Sequence, residues 1–340
     1  MKRHRQKRRL IRGVFGVAML FVLAIFGYRW TINAPVYIVE EPFDLYIADT
    51  GMTSWEALAP LRASGHLYRP TALQTLNSLR GNPKAQRGHY RITSGMGLMQ
   101  LLRKIEFGYE DPIWLRIRGY QKAPAIETQL TEVFGYTADS AHAVLAKHMG
   151  FDQVIPNSYQ VYWSYRPKDL AKRLTREHEV FWNPERLGRA ARMGLSAEQV
   201  VVLASIAQAE TKQRDELPRV AGLYLARLKI GKRLEADPTV VWAYLDRYPN
   251  AGVIRRVTTA MTNLNHPYNT YRRDGLPPGP LTTVEPEVID AVLKAEAKNE
   301  IYMCADPDRP GYHAFARTYA EHLRNAARYH ASLNRRGIRR

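Results

Sequence analysis

The sequence predicts an α+β protein held by an N-terminal membrane helix. Three observations predict it: an uncharged apolar run behind a basic leader, two short strand, glycine-turn and helix segments, and then a series of helix-period segments broken by a few extended ones. At 340 residues, 45% hydrophobic and 24% charged, the chain is long enough for two or three packed units and ordinary in composition for a globular protein.

Residues 1–12 are a basic tail, with Lys2, Arg3, Arg5, Lys7, Arg8, Arg9 and Arg12 supplying seven positive charges. Gly13 to Trp30 follows with no charge between Arg12 and Arg29. Arg12 and Arg29 can snorkel and Trp30 can sit at an interface, which gives roughly 28 Å of helix, enough to span. Ile32, Asn33, Ala34 and Pro35 make a poor cleavage site, so the expectation is a retained anchor at 13–30 rather than a removed signal peptide. The positive charge before the span places the N-terminus in the cytoplasm and the body outside.

Residues 36–110 read as a small α+β unit. Tyr37, Ile38 and Val39 form one expected strand, and Phe43, Leu45 and Ile47 a second with clean alternation. The turn from Asp49 through Thr50 to Ser54 leads to a helical run from Trp55 to Arg62, and Ile92 to Gly95 with Leu102 and Ile105 echoes the same pattern. Residues 111–330 are the larger α+β unit, opening with a strand at Trp114 to Ile117 and a loop from Gly119 to Pro124. Helices are expected at Ala125 to Phe134, Thr137 to Met149, Pro167 to Phe181 and Pro184 to Arg192. Between them, Ile155 to Tyr165 is aromatic at alternating positions, and Tyr159 either stacks on a sugar or fills a core. Residues 331–340 are a basic tail.

The segment from Leu195 to Thr211 stands apart. Ser196 and Gln199 form a capping box, and Val200, Leu203, Ala204, Ile206 and Ala207 mark a buried helix face. Glu210 lies three residues after Ala207 and four after Ile206, so it emerges from that apolar stripe near a helix C-terminus. Desolvation and the negative helix end both favour its protonated form, the profile of a general acid. A turn follows, then a helix with Asp215 as its expected cap, Val220, Leu223, Tyr224 and Leu228 on its apolar face, and Gly231 at its end. Asp237 before Pro238 reads as an N-cap.

From Asp274 to Pro280, three prolines and two glycines in seven residues predict a rigid irregular loop. With Tyr268, Asn269 and Tyr271 just before it, it either offers hydroxyl and amide groups suited to a sugar or forms an Asx-type turn capping the next helix. A helix is expected from Glu285 to Ala297, and Tyr312 to Phe315 reads as an edge strand carrying His313.

The net charge of +18 comes largely from the two tails, since Arg335, Arg336, Arg339 and Arg340 add to the leader and leave a mildly basic body. No zinc-ligand set or basic recognition helix supports nucleic-acid binding, and no metal-ligand spacing recurs. Cys304 is the one cysteine, so no internal disulfide forms. No cofactor is expected.

The residues from Leu203 to Ile206, Glu210-Thr211, Arg227-Leu228, Gly231, Arg233-Leu234 and Asp237 to Val240 resemble the YceG-like (MltG-type) endolytic murein transglycosylases. So do His266 to Tyr271, Gly275 to Pro280 and His313 to Phe315. The resemblance implies a single-pass anchor in the bacterial plasma (inner) membrane, a LysM-like subdomain at 36–110 and a catalytic domain at 111–330. It implies that Glu210 cuts glycan strands of peptidoglycan between N-acetylmuramic acid and N-acetylglucosamine, leaving 1,6-anhydro ends. Tyr268, Asn269 and Tyr271 would position the sugar, with Thr211, Asp237, Tyr159 and His313 as further binding candidates, and with cell-wall synthesis proteins as candidate partners. Two departures stand out: Gln208 replaces a second glutamate, and Asn157 replaces an aspartate. The alternative is a non-catalytic peptidoglycan-binding or scaffold protein of the same fold; a conventional glycosidase is third.

Overall fold

A computed structural model describes residues 2–37, 39–48 and 51–335 of the chain. They divide into two compact units, Met1–Trp114 with Gln160–Tyr165, and Leu115–Tyr159 with Arg166–Arg340.

The first unit opens with α1 (Lys2–Ile32), so the basic leader and the apolar run are one helix. Its segment Val14–Ile32 has a mean hydropathy of 1.7, and none of its residues is buried in the protein. Nineteen residues are long and apolar enough to cross a membrane. Beyond it come β1 (Phe43–Ile47), α2 (Ser54–Ala57), α3 (Ala59–Ala63), α4 (Pro70–Leu79), β2 (Gly88–Ile92) and α5 (Leu98–Glu106), and the unit ends within β3 (Ile113–Ile117).

β1 and β2 pair antiparallel from Phe43 opposite Ile92 to Ile47 opposite Gly88. Leu45 and Ile47 point into a core with Leu58, Leu61, Tyr90, Leu101 and Ile105, as the alternation requires. Thr53 caps α2 through a capping box with Glu56. Three expectations change here. Tyr37 makes only an isolated bridge to Leu67, so no strand forms there, and Ile38 lies outside the described residues. Asp49 and Thr50 do too. The run from Trp55 to Arg62 is two helices broken at Leu58, because Pro60 starts a new first turn.

The second unit holds α6 (Ala123–Phe134), α7 (Ala138–Ala143), the first three residues of β4 (Asn157–Val161), α8 (Pro167–Phe181), α9 (Pro184–Met193), α10 (Ala197–Glu210), α11 (Leu217–Lys229), α12 (Asp237–Arg247), α13 (Thr259–Thr262), α14 (Pro286–Val292), β5 (Tyr302–Ala305), β6 (His313–Ala316) and α15 (Tyr319–Arg335). The expected helix from Thr137 becomes α7 followed by a π-helical turn, Val144–His148. The helix expected to reach Ala297 stops at Val292. Residue 331, expected to open a tail, lies inside α15, while Arg336, Arg339 and Arg340 lie outside the described residues.

The capping box at Ser196 starts α10, with the Gln199 N–H donating to Ser196 Oγ at 3.2 Å and the Ser196 N–H to Gln199 Oε1 at 2.9 Å. Every residue from Val200 to Gln208 is buried. The expected single apolar stripe is therefore a helix enclosed on all sides, packed by α11, α14 and the 281–284 segment. β6 pairs antiparallel with β5, His313 lying opposite Ala305.

Gly222 on α11 has a structural reason. A Cβ there would stand 2.4 Å from the Glu296 carbonyl oxygen, a backbone atom that cannot swing away. Alanine gains about 1 kcal/mol of helix propensity, whereas overpacking a close contact costs about 1–3 kcal/mol. Gly222→Ala is therefore expected to lower the urea midpoint despite the better helix former; a raised midpoint would show that the 296 backbone yields.

Candidate active site

Glu210 is the last residue of α10, and the chain leaves the helix at once because Thr211 is extended. Its carboxyl meets Tyr224 of α11, whose hydroxyl donates to Glu210 Oε1 at 2.6 Å. Tyr224 is itself buried. Burial pushes the Glu210 carboxyl up to about 7, against the Tyr224 hydrogen bond and the neighbouring His313 and Arg227, with the Asp237 charge adding to the rise. A carboxyl that titrates near neutrality can both give and take a proton under ordinary conditions.

Three of the ionisable groups around it are fixed by other partners. Arg227, one turn beyond Tyr224 on α11, is buried, and its guanidinium donates to the Ile301 carbonyl at 2.7 Å and to the Leu234 carbonyl. His313 is tied to Glu216 twice, Nδ1 to Oε2 at 2.9 Å and backbone N–H to Oε1 at 2.7 Å. Glu216 is thus the residue at the start of α11, while Asp215, expected as the cap, accepts from the Tyr312 hydroxyl instead. Asp237 is corrected likewise. It is the first helical residue of α12, makes no cap hydrogen bond, and its Oδ1 accepts from the Tyr271 hydroxyl at 2.7 Å. Burial first, then that hydrogen bond, raises the Tyr271 phenol above its ordinary range.

Glu210 and Asp237 line one open cleft of about 420 Å3, with Lys122, Trp242, Leu281 and Thr282 among its walls. The Trp242 indole donates to the Leu281 carbonyl at 2.9 Å and stacks on Tyr268 with centroids 3.9 Å apart and planes 19° apart. Gly279 lets the Tyr268 hydroxyl approach, since a Cβ there would stand 2.8 Å from it.

Of the residues singled out in the sequence, Glu210, Asp237, Tyr271 and His313 come together. Tyr268 supports the Trp242 wall from behind, and Thr211 is a buried turn residue whose Oγ1 accepts from the Gln213 N–H at 3.1 Å. Two readings are corrected. Asn269 is fully buried, and its amide donates to the Thr262 and Leu264 carbonyls at 3.0 and 2.7 Å, so it holds the loop and has no group left for a sugar. Tyr159 is core: it is buried, its hydroxyl donates to the Ile155 carbonyl, and Arg173 lies over its ring. Tyr224, Arg227, Trp242 and Lys122 were missed. Tyr224 reads in sequence as one more apolar position, although a phenol inside a core requires a partner and so carries a signal.

The YceG-like family model matches residues 47–328. The chain belongs to the YceG-like family. Among similar proteins is the endolytic murein transglycosylase of Bacillus subtilis, 28% identical over 141 residues, 41% of this chain and 37% of that one. The endolytic murein transglycosylase of Streptococcus pneumoniae is 24% identical over 135 residues, 40% of this chain and 24% of that one. The matched segments thus span between about a quarter and somewhat over a third of these relatives' lengths. A crystallographic YceG-like protein of Listeria monocytogenes is 19% identical with a TM-score of 0.46, covering 84% of this chain and 99% of that one.

Gln208 has a structural use here. Its amide donates to the Thr283 carbonyl at 3.0 Å, and its Oε1 accepts from the Glu285 N–H at 3.1 Å. A carboxylate could do only the second.

Because burial raises the Glu210 pKa from the ordinary 4.5 to about 7, the folded chain holds a proton that the unfolded chain has released. The associated stability is fully present below pH 4.5 and is lost as pH rises through 7. Glu210→Gln, which does not titrate, should therefore gain stability on the parent across that window, by at most about 3 kcal/mol. Urea unfolding at several pH values checks this, and parallel curves would mean an ordinary carboxyl. In the same titration Tyr224→Phe, which removes a hydrogen bond that lowers the pKa, should move the Glu210 midpoint to higher pH.

Proposed function

We propose that the chain is a membrane-anchored lytic transglycosylase that cuts peptidoglycan glycan strands internally. The bond cut is the β-1,4 linkage between N-acetylmuramic acid and N-acetylglucosamine, without water, leaving a 1,6-anhydro end. The observation that carries this reading is Glu210, a carboxyl raised toward neutrality by burial yet opening onto a cleft of ligand size. Family membership and relatives named endolytic murein transglycosylase agree with it.

The chemistry follows from the two oxygens of that carboxyl. Tyr224 occupies Oε1, which leaves Oε2 to carry the proton. Glu210 gives that proton to the glycosidic oxygen, the bond to the muramic C1 breaks, and positive charge builds on the ring. The new carboxylate then takes the proton of the same sugar's 6-hydroxyl as its oxygen closes on C1. Glu210 ends as it began and no water is consumed. The Asp237 carboxylate in the same cleft favours the developing cation, and the flat Trp242 side chain offers a surface for a sugar face.

Asp237 also favours a second reading, a hydrolase with two carboxyls. The products separate the two, since hydrolysis leaves reducing ends. On the first reading, the N-terminus of α1 is cytoplasmic and the body faces the wall from the plasma membrane, where it would trim or terminate new strands beside cell-wall synthesis proteins.

Full-length chain incubated with purified glycan strands should release anhydro-ended products by mass spectrometry, and Glu210→Gln should release roughly a hundred- to ten-thousand-fold less. Undiminished release by the variant would remove Glu210 from the mechanism.

A further inference from the structure

Lys122 lines the same cleft as Glu210, and among the described residues it is the one cation that does so. Its ammonium lies over the Trp242 ring, 6.0 Å from the centroid, and among the described residues no carboxylate is ion-paired with it. An exposed lysine is ordinarily a solvated charge on a loose stem, and its position carries no information. This one differs in how firmly its backbone is held.

The preceding loop is fastened residue by residue. The Gly119 N–H donates to Glu285 Oε1 at 3.0 Å, the Tyr120 N–H to the Thr283 carbonyl at 3.0 Å, and the Gln121 N–H to Thr283 Oγ1 at 3.0 Å. In return the Thr283 N–H donates to the Gln121 carbonyl at 2.8 Å, and its hydroxyl to the Arg118 carbonyl at 2.8 Å. Tyr120 is held at φ +62°, a left-handed conformation that a bulky residue adopts only when its surroundings impose it. The segment that receives these bonds is the one Gln208 grips, and Gln208 sits two residues before Glu210. The cleft's acid and its cation therefore share one hydrogen-bonded frame. Trp242 beside Lys122, with Val241, Leu245 and Leu281 elsewhere in the wall, makes the cleft largely apolar, which weakens solvent screening of the charge.

We infer that Lys122 is a specificity-determining residue: it recognises a carboxylate on the glycan beside the bond that Glu210 cleaves, while the sugar ring lies against Trp242. This rests on the glycan-cleaving reading above. In peptidoglycan that carboxylate has two sources, the lactyl group of a muramic acid without peptide or the free carboxylates of an attached peptide stem.

Binding, rather than turnover, tests it. Full-length chain in detergent micelles, carrying Glu210→Gln so that no strand is cut, is titrated with stem-bearing strands, stem-free strands, and both with their carboxylates converted to methylamides. Adding Lys122→Met should weaken binding of at least one acidic strand about tenfold and leave the methylamides unchanged. Lys122→Arg should restore most of the loss. The acidic strand that loses affinity identifies the source. Equal weakening on acidic and neutral strands, no weakening at all, or no binding by the parent overturns the inference. Product release by the chain with native Glu210, measured separately, reports on the catalytic reading independently.

Discussion

The hydrogen bond from Tyr224 to Glu210 is the contact on which the site depends. It joins the end of α10 to the interior of α11, and it settles which carboxyl oxygen is free. A phenol in that core would be costly without an acceptor, and the partly desolvated carboxyl beside it gains a donor. Each satisfies the other, and burial can then raise the acid's pKa without leaving either group unpaired.

Around this pair the protein uses neutral and charged groups differently. Gln208 and Ser205, both buried, spend their polar atoms holding the 281–285 segment against α10, and the buried Thr283 hydroxyl ties the same segment to the Arg118 carbonyl. The ionisable groups His313, Arg227 and Asp237 act on Glu210 electrostatically and are held by other partners. That separation keeps the Glu210 carboxyl protonatable, since a direct ion pair with Arg227 would pull its pKa down. Glutamine at 208 fits the same division, since an acid there would lose the bond to the Thr283 carbonyl.

Much of the local structure was legible in the residues. The Ser196 and Gln199 box, the alternation in β1 and the proline starts of α8 and α9 are short-range signals, and short-range signals are what a single sequence holds. Pro60 was equally readable, yet the apolar run around it masked the break between α2 and α3. Asp237 shows the limit more sharply. An aspartate before a proline reads as a cap, and here a tyrosine more than thirty residues away takes its carboxylate. Asn269 misled in the same way, because an amide on a rigid loop looks available until the carbonyls that surround it are seen.

Periodicity and composition determined the membrane-length helix, the α+β character and the placing of one carboxyl at the end of an apolar helix. Those depend on neighbours within a few residues, so they survive without coordinates. The tertiary structure decided the rest: that α10 is enclosed on every side, that Tyr224 rather than a charge meets Glu210, that Asp237 and Tyr271 form a pair, and that Lys122 shares the cleft. Each of those brings together residues from separate segments of the chain, and only the packed fold sets the distances and the burial that give them their chemistry.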